Sequence, residues 1–132
     1  MAFPKIHSCL ICEAVRGEEG GKLTLLGFLG MSPNVSFKVK TLAGALSLTF
    51  VLLGEKGDGH HEIAFELLGD DNRRIGQPMT PFPLDLEPDK PTNIVLTVVT
   101  PLPHFGRFHV RLYVDSRVHF EGGSFEVAQQ PA

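Results

Sequence analysis

The sequence predicts an all-β protein that forms one domain over residues 1–132. The chain contains 14 glycines and 10 prolines, and they interrupt every stretch that could keep the apolar i, i+3, i+4, i+7 spacing of a helix. Between these residues, short runs alternate apolar and polar side chains, which is typical of half-buried strands. With 42% hydrophobic and 20% charged residues, the chain has the composition of a globular protein with a sizeable core.

The clearest alternation lies in RFHVRLYVD, residues 107–115, and predicts an antiparallel strand with one buried face. The same pattern predicts strands in residues 46–54, 60–69 and 92–100, with a shorter strand in GKLTLLGFLG (21–30) and an opening strand in 6–15. The side chains predicted to face the core include Leu46, Leu48, Phe50, Leu52, Ile63, Phe65, Leu67, Ile94, Leu96, Val98, Phe108, Val110, Leu112 and Val114.

Turn-forming residues separate these strands at 16–21, 54–59 and 69–74, where Gly, Asp and Asn cluster. A longer segment, 78–91, contains five prolines, and proline cannot donate a hydrogen bond to a central strand ladder. We therefore expect an edge strand or a crossover between two sheets there. A long connection of this kind favours a Greek-key β-sandwich of about eight antiparallel strands.

The last hairpin, within residues 105–127, allows two registers. A two-residue Asp115-Ser116 turn would direct His119 to the core, whereas a three-residue loop or a bulge would bury Val118 and Phe120. Burial of two apolar side chains favours the second register. Residues 128–132 are predicted to be a flexible tail.

Three segments together resemble a family of small uncharacterised bacterial proteins with an immunoglobulin-like β-sandwich. They are CLICEAVRGEEGGKLTLLGFL (9–29), HEIAFELLGDDNRRIG (61–76) and FHVRLYVDSRVHFEGGSFEV (108–127). The resemblance extends from about Ser8 to Val127, and it departs from the family pattern at the last turn, which is DS instead of DG. Since the family has no assigned function, the resemblance implies the fold and no catalytic residues.

The C-x-x-C spacing of Cys9 and Cys12 raises the question of a redox or metal site. In a strand these side chains point to opposite faces, and no helix follows to form a thioredoxin-type motif. We therefore interpret them as ordinary strand residues, at least one of them buried. His60, His61 and His104 are weak candidates for metal ligands, and no cofactor is predicted.

The charge of the chain argues against nucleic acid as a partner. The formal net charge is −3, and the twelve basic residues are scattered among fifteen acidic ones. No signal peptide or membrane span is predicted, and two cysteines do not form a secreted disulfide framework. The expected location is the cytoplasm.

The sequence contains no nucleophile elbow, HExxH pair or phosphate loop, so no enzymatic activity is predicted. We expect a binding or interaction module of a bacterial cytoplasm, with a homo-oligomer as one form that it could take. An edge strand beside segment 78–91, or the outward side chains of Val95, Val99 and Leu68, would supply its interface. The alternative is a small-molecule or metal-binding protein with a site in the loops at one end of the sandwich.

Overall fold

The structure is a computed structural model that describes residues 3–76 and 80–131. Those residues form ten strands, and a single 3-10 turn at Glu19–Gly21 is their only helical element. The strands are β1 (Ile6–Gly17), β2 (Leu23–Met31), β3 (Ser36–Val39), β4 (Leu46–Lys56), β5 (Gly59–Gly69), β6 (Arg74–Ile75), β7 (Phe82–Leu86), β8 (Pro91–Thr100), β9 (Gly106–Val114) and β10 (Arg117–Gln129). The predicted all-β class is confirmed.

The strands form two sheets. A four-stranded antiparallel sheet has the order β2-β1-β4-β8, and a six-stranded sheet has the order β3-β10-β9-β5, with β6 and β7 paired to opposite halves of β5. The prediction of about eight antiparallel strands is therefore wrong on two counts. β3 and β6 are too short to show a period in the sequence, and β3 pairs with β10 in the parallel direction.

The core lies between the two sheets and is built from the side chains that the alternation predicted to face inward. Phe50 of β4, Phe108 of β9 and Phe125 of β10 are each at most 1% exposed. The Phe125 ring centroid lies 5.9 Å from that of Phe50 and 5.5 Å from that of Phe108, so these rings connect the sheets. Truncating any of them would cost about 3–5 kcal/mol.

The proline-rich segment contains the edge strand β7, which pairs with the first half of β5. The chain then passes to the other sheet and begins β8 at Pro91, as the sequence predicted for an edge and crossover. Residues 78 and 79 of the predicted 78–91 segment lie outside the described residues.

The final hairpin differs from the favoured prediction. Its turn has two residues, Asp115 and Ser116, with φ of 51° and 68°, and both positive values are those of a type I′ turn. Val118 pairs with Tyr113 and is exposed, so its predicted burial is wrong. A bulge between Val118 and Phe120 follows the turn, and a bulge was one of the two arrangements predicted to bury Phe120. It directs the Phe120 side chain toward the core. The short turn is held by the Asp115 carboxylate, which accepts a hydrogen bond from the Glu62 backbone N–H.

The predicted flexible tail over 128–132 is also wrong for its first residues. Ala128 and Gln129 pair with Lys38 and Val39 of β3, and the Gln130 N–H donates to the Val39 carbonyl. The sequence could not show this because the pairing strand, β3, was not predicted. Ala132 lies outside the described residues.

We predict that Ser116→Gly stabilises the protein. A non-glycine residue in the left-handed region costs about 1–2 kcal/mol, and glycine recovers this at an entropic cost of about 0.5–1 kcal/mol. The free energy of unfolding in urea should therefore rise by about 0.5–1 kcal/mol. Ser116→Ala, which keeps the β-carbon, is the control and should give no gain; a gain of equal size with alanine would contradict the type I′ explanation.

Candidate functional site

The outer side of the four-stranded sheet is almost entirely apolar. Its strand register aligns side chains in rows that cross the sheet, and one row reads Met31, Leu10, Val51 and Val95. The next row reads Phe28, Cys12, Thr49 and Thr97, and a third set adds Leu26 beside Ala14 and Val99 beside Ser47. We call this surface the outer apolar face; it comprises Leu10, Cys12, Ala14, Leu26, Phe28, Met31, Ser47, Thr49, Val51, Val95, Thr97 and Val99.

This face holds most of the exposed large hydrophobic side chains. Seven such side chains are exposed in the part of the chain that the structure describes, and five of them lie here: Leu26, Phe28, Met31, Val95 and Val99. Phe28 is 57% exposed and Val99 is 65% exposed. Exposed apolar side chains concentrated on one surface in this way are typical of interaction sites on proteins.

The strand positions explain why the exposure is uneven. Thr49, Val51 and Cys12 are buried, and they lie on β1 and β4, which have a neighbouring strand on each side. The exposed residues belong to the outer strands β2 and β8. The exposed apolar area of the face therefore lies along its two margins.

No residue of the outer apolar face is charged, whereas the outer side of the six-stranded sheet carries ion pairs. There the Glu66 carboxylate accepts hydrogen bonds from Tyr113 Oη at 2.6 Å and from Arg74 Nε at 2.8 Å. Arg111 contacts Glu66 at 3.4 Å and also donates to Glu121 at 2.6 Å. Burial acts to raise the pKa of Glu66, but the hydrogen bonds from Tyr113 and Arg74 outweigh it and lower the pKa below its usual value. The two outer surfaces are thus chemically opposite.

A second cluster lies where the N-terminal segment meets the β9–β10 turn. His61 is 4% exposed, and its Nδ1 donates to the Asp115 carboxylate at 2.8 Å while its Nε2 donates to the Asp58 carbonyl at 2.9 Å. Neither partner has a proton to give, so both nitrogens carry one and the ring is an imidazolium. The Asp115 hydrogen bond raises the pKa of His61, against the opposing effect of burial.

The same cluster fixes the N-terminal segment. The Phe3 ring meets His61 and His119 edge-on, at centroid distances of 5.1 Å and 4.9 Å. His119 Nε2 donates to the Pro4 carbonyl at 2.8 Å. The rings of the cluster pack on one another, and both histidines form hydrogen bonds within the protein. A structural role therefore explains why these residues lie together.

The three histidines predicted as weak metal candidates are not brought together. His60 is exposed on β5 and donates to Asp85 of β7 at 2.6 Å. His61 points to Asp115, and His104 stacks on Phe108 beside Gly69, at the far end of β5 from the other two. Within residues 3–76 and 80–131, no group of three His, Cys, Asp or Glu side chains could hold a metal ion.

The two cysteines lie on opposite faces of β1, as predicted from strand alternation. Cys9 belongs to the core cluster, and Cys12 pairs with Thr49 on the other side of the sheet. Both are buried free thiols. Burial raises the pKa of Cys9 to about 12, and it also raises that of Cys12. Neither thiol is activated for redox chemistry.

Sequence reasoning found part of the candidate surface. Val95 and Val99 are exposed as predicted, but the third predicted outward residue, Leu68, is buried at 2% exposure. The apolar contribution of β2 was missed, although LTLLGFLGM carries apolar residues on both faces of the strand. That departure from alternation was the available signal.

Comparison with known proteins adds little to this geometry. No protein-family model matches the chain, and no curated protein matches it. A solved structure of the alkylpurine DNA glycosylase AlkC of Pseudomonas fluorescens, bound to DNA containing an abasic site analogue, is similar at a TM-score of 0.42 and 12% identity. The match covers 74% of this chain and 28% of the glycosylase chain, so this chain spans less than a third of that protein. A likeness at that TM-score carries no argument about fold or function.

The described part of the chain includes no helix long and apolar enough to cross a membrane.

We predict that His61 makes stability depend on pH. Because its folded pKa is raised above 6.5, its contribution is fully present below that value and is lost as pH rises through the folded pKa. The Asp115 pKa is lowered, by the Glu62 N–H and then by His61, so its contribution is lost only in acid, as pH falls through that lowered pKa.

The measurement is urea unfolding of wild type and His61→Gln at a series of pH values. The difference in free energy of unfolding should be largest in weakly acidic buffer and should shrink as pH rises above neutrality. His60→Gln changes an exposed ring on the same strand and serves as the control. A wild-type advantage over His61→Gln that stays constant with pH would contradict the imidazolium assignment.

Proposed function

We propose that this protein is a non-enzymatic interaction module that binds an apolar protein surface through the outer apolar face. The observation that carries the proposal is the uncharged cross-strand rows, with five exposed large hydrophobic side chains concentrated on one sheet. Removing apolar surface from water contributes about 25 cal/mol per Å². A face of this composition gains free energy from being covered.

We also propose that the fold is an immunoglobulin-like Greek-key sandwich, as the sequence resemblance implies. The strand order supports this, since β1, β4 and β8 are neighbours in the order of the A, B and E strands of such domains. β5, β9 and β10 follow the order C, F and G in the other sheet, and β7 occupies the edge position of C′. Interaction surfaces are the common use of this architecture, although a fold by itself does not define a function.

The absence of enzymatic activity is part of the proposal and is supported by how the ionisable groups are used. Glu66 is engaged by Tyr113 and Arg74, and His61 by Asp115, so the buried groups that the fold brings together stabilise the structure. A bacterial cytoplasmic location belongs to the same proposal. It is supported by the free thiols of Cys9 and Cys12, which are usual in a reducing compartment.

A cleft at the β9–β10 turn favours the alternative of a small-molecule site at one end of the sandwich. This open cleft lies beside the His61 cluster and is lined by Phe3, Asp115 and Arg117 among others. Its polar groups on His61, Asp115 and His119 are already paired within the protein, so we place this function second.

Hydroxyl-radical footprinting of the native protein tests the interaction module. Met31 and Phe28 are exposed and chemically reactive, so in dilute buffer both should be oxidised readily. At high protein concentration, or in an extract of the native host, both should lose most of that reactivity because a partner covers them.

His60 is exposed on the other sheet and provides the internal control, with the same reactivity under all conditions. Met31 and Phe28 remaining fully reactive in both concentrated protein and extract would refute the proposed function.

A further inference from the structure

We infer that the partner of the outer apolar face is a second copy of this chain, packed sheet against sheet about a two-fold axis. This inference rests on the proposed function and names the occupant of the same surface. Three features carry it: the lack of charge on the face, the distribution of its large and small side chains, and the size of the outer side of the sheet.

The first feature is the lack of charge. In a two-fold interface the same patch meets itself, so a charged residue near the axis would lie close to its own copy and repel it. All three rows, from Met31–Val95 to Leu26–Val99, are free of charged side chains. The nearest charged side chain along β1 on this face is Arg16, which lies at the end of the strand and forms an ion pair with Glu18. Nothing in the centre opposes self-association.

The second feature is the distribution of large and small side chains. With the axis parallel to the strands, β2 of each copy lies over β8 of the other. This arrangement places the large Phe28 and Met31 side chains against smaller Thr97, Val95 and Val99 side chains, so large and small side chains face each other across the interface. Packed sheets keep a separation of about 10 Å, which such pairs fill.

The third feature is size. Four strands at about 4.8 Å spacing and strands of about ten residues give a flat area of roughly 600 Å², and side-chain relief increases the accessible area. A standard stable interface buries about 800 Å² per partner. The flat area is that of the whole outer side of the sheet, and the outer apolar face, about five residues along each strand, is roughly half of it. A stable dimer would therefore also bury the flanking positions at both ends of these rows, with the outer apolar face as the apolar centre of the interface.

Edge pairing through β8 is the competing arrangement. Within the described residues β8 pairs only with β4, so its other side is open to a strand from another chain. Joining two copies at β8, however, would leave Phe28 and Met31 about 14 Å away across the sheet, still exposed to water. Only face-to-face packing covers both margins.

Sedimentation velocity of the full chain tests the dimer. Wild type should sediment at twice the mass of the 14.4 kDa chain, with a monomer appearing on dilution. Phe28→Glu would place an unpaired carboxylate in the apolar interface and should weaken association more than about tenfold. Val99→Lys is a second variant on the opposite margin with the same expectation, so the test survives if one variant fails to fold, which circular dichroism would report.

Val118→Glu is the matched control. The exposed fraction of Val118, 52%, is similar to that of Phe28, 57%. Val118 lies on the six-stranded sheet, however, so its substitution should leave the dimer intact. Dissociation by Val118→Glu as well as by Phe28→Glu would overturn the assignment of the face.

Cross-linking of cysteine variants separates the two arrangements. A mixture of Phe28→Cys and Thr97→Cys chains should be joined by a short bis-maleimide, because these positions share a row, β2 lies over β8 and the packed sheets are about 10 Å apart. Pairing at the edge would instead join two Val95→Cys chains, and that product without the mixed one would overturn the face-to-face arrangement.

Wild type that stays monomeric at its highest soluble concentration would overturn the inference. Protection of Met31 in host extract would in that case leave the proposed function standing with a different protein as partner. If wild type stays monomeric and Met31 also stays fully reactive in host extract, both the dimer and the proposed function are refuted.

Discussion

The aromatic contact between the two sheets determines the rest of the structure. Phe50 on one sheet meets Phe125 on the other, and Phe125 in turn packs on Phe108. Because side chains alternate along a strand, once Phe50 points inward its neighbours Thr49 and Val51 must point outward. The ladder then extends this choice to Cys12 and Val95 on the adjacent strands. The composition of the outer apolar face thus follows from the core.

The alternation of side chains along the strands gives the two outer surfaces opposite compositions. On the six-stranded sheet the outward positions carry Glu66, Arg111 and Tyr113, whose hydrogen bonds satisfy one another at the surface. On the four-stranded sheet the corresponding positions are threonines, valines and a phenylalanine. An isolated protein has no reason to leave one sheet without polar cover, since each exposed apolar side chain adds unfavourable contact with water. Coverage by another protein, as we propose, would supply that reason.

Much of the fold could be predicted from the sequence because period-2 alternation is a local property. The inward faces of β5 and β9 were predicted residue by residue, since Ile63 and Leu112 each belong to a run in which large apolar residues recur at every second position. The two-residue turn at Asp115 was not the favoured prediction. Its stability depends on hydrogen bonds to Glu62 and His61, which lie more than fifty residues away in the sequence. The candidate surface was half predicted for a similar reason. Val95 and Val99 alternate with buried residues, whereas Phe28 lies in a strand that is apolar on both faces, and only the pairing of β2 with β1 shows which side it takes.

The parallel pairing of β3 with β10 has a consequence for how the chain acquires its structure during synthesis. β3 lies in the first third of the chain, yet the strand it pairs with is made from residues 126–129. While the ribosome is still producing the middle of the protein, Phe37 and Val39 have no strand to join, and neither sheet can close over the phenylalanine core until β10 emerges. Contacts between such distant segments carry a loop-closure cost and slow folding. The apolar side chains and unpaired edges of the early strands are therefore exposed during most of synthesis. A chaperone that binds them at this stage would reduce aggregation.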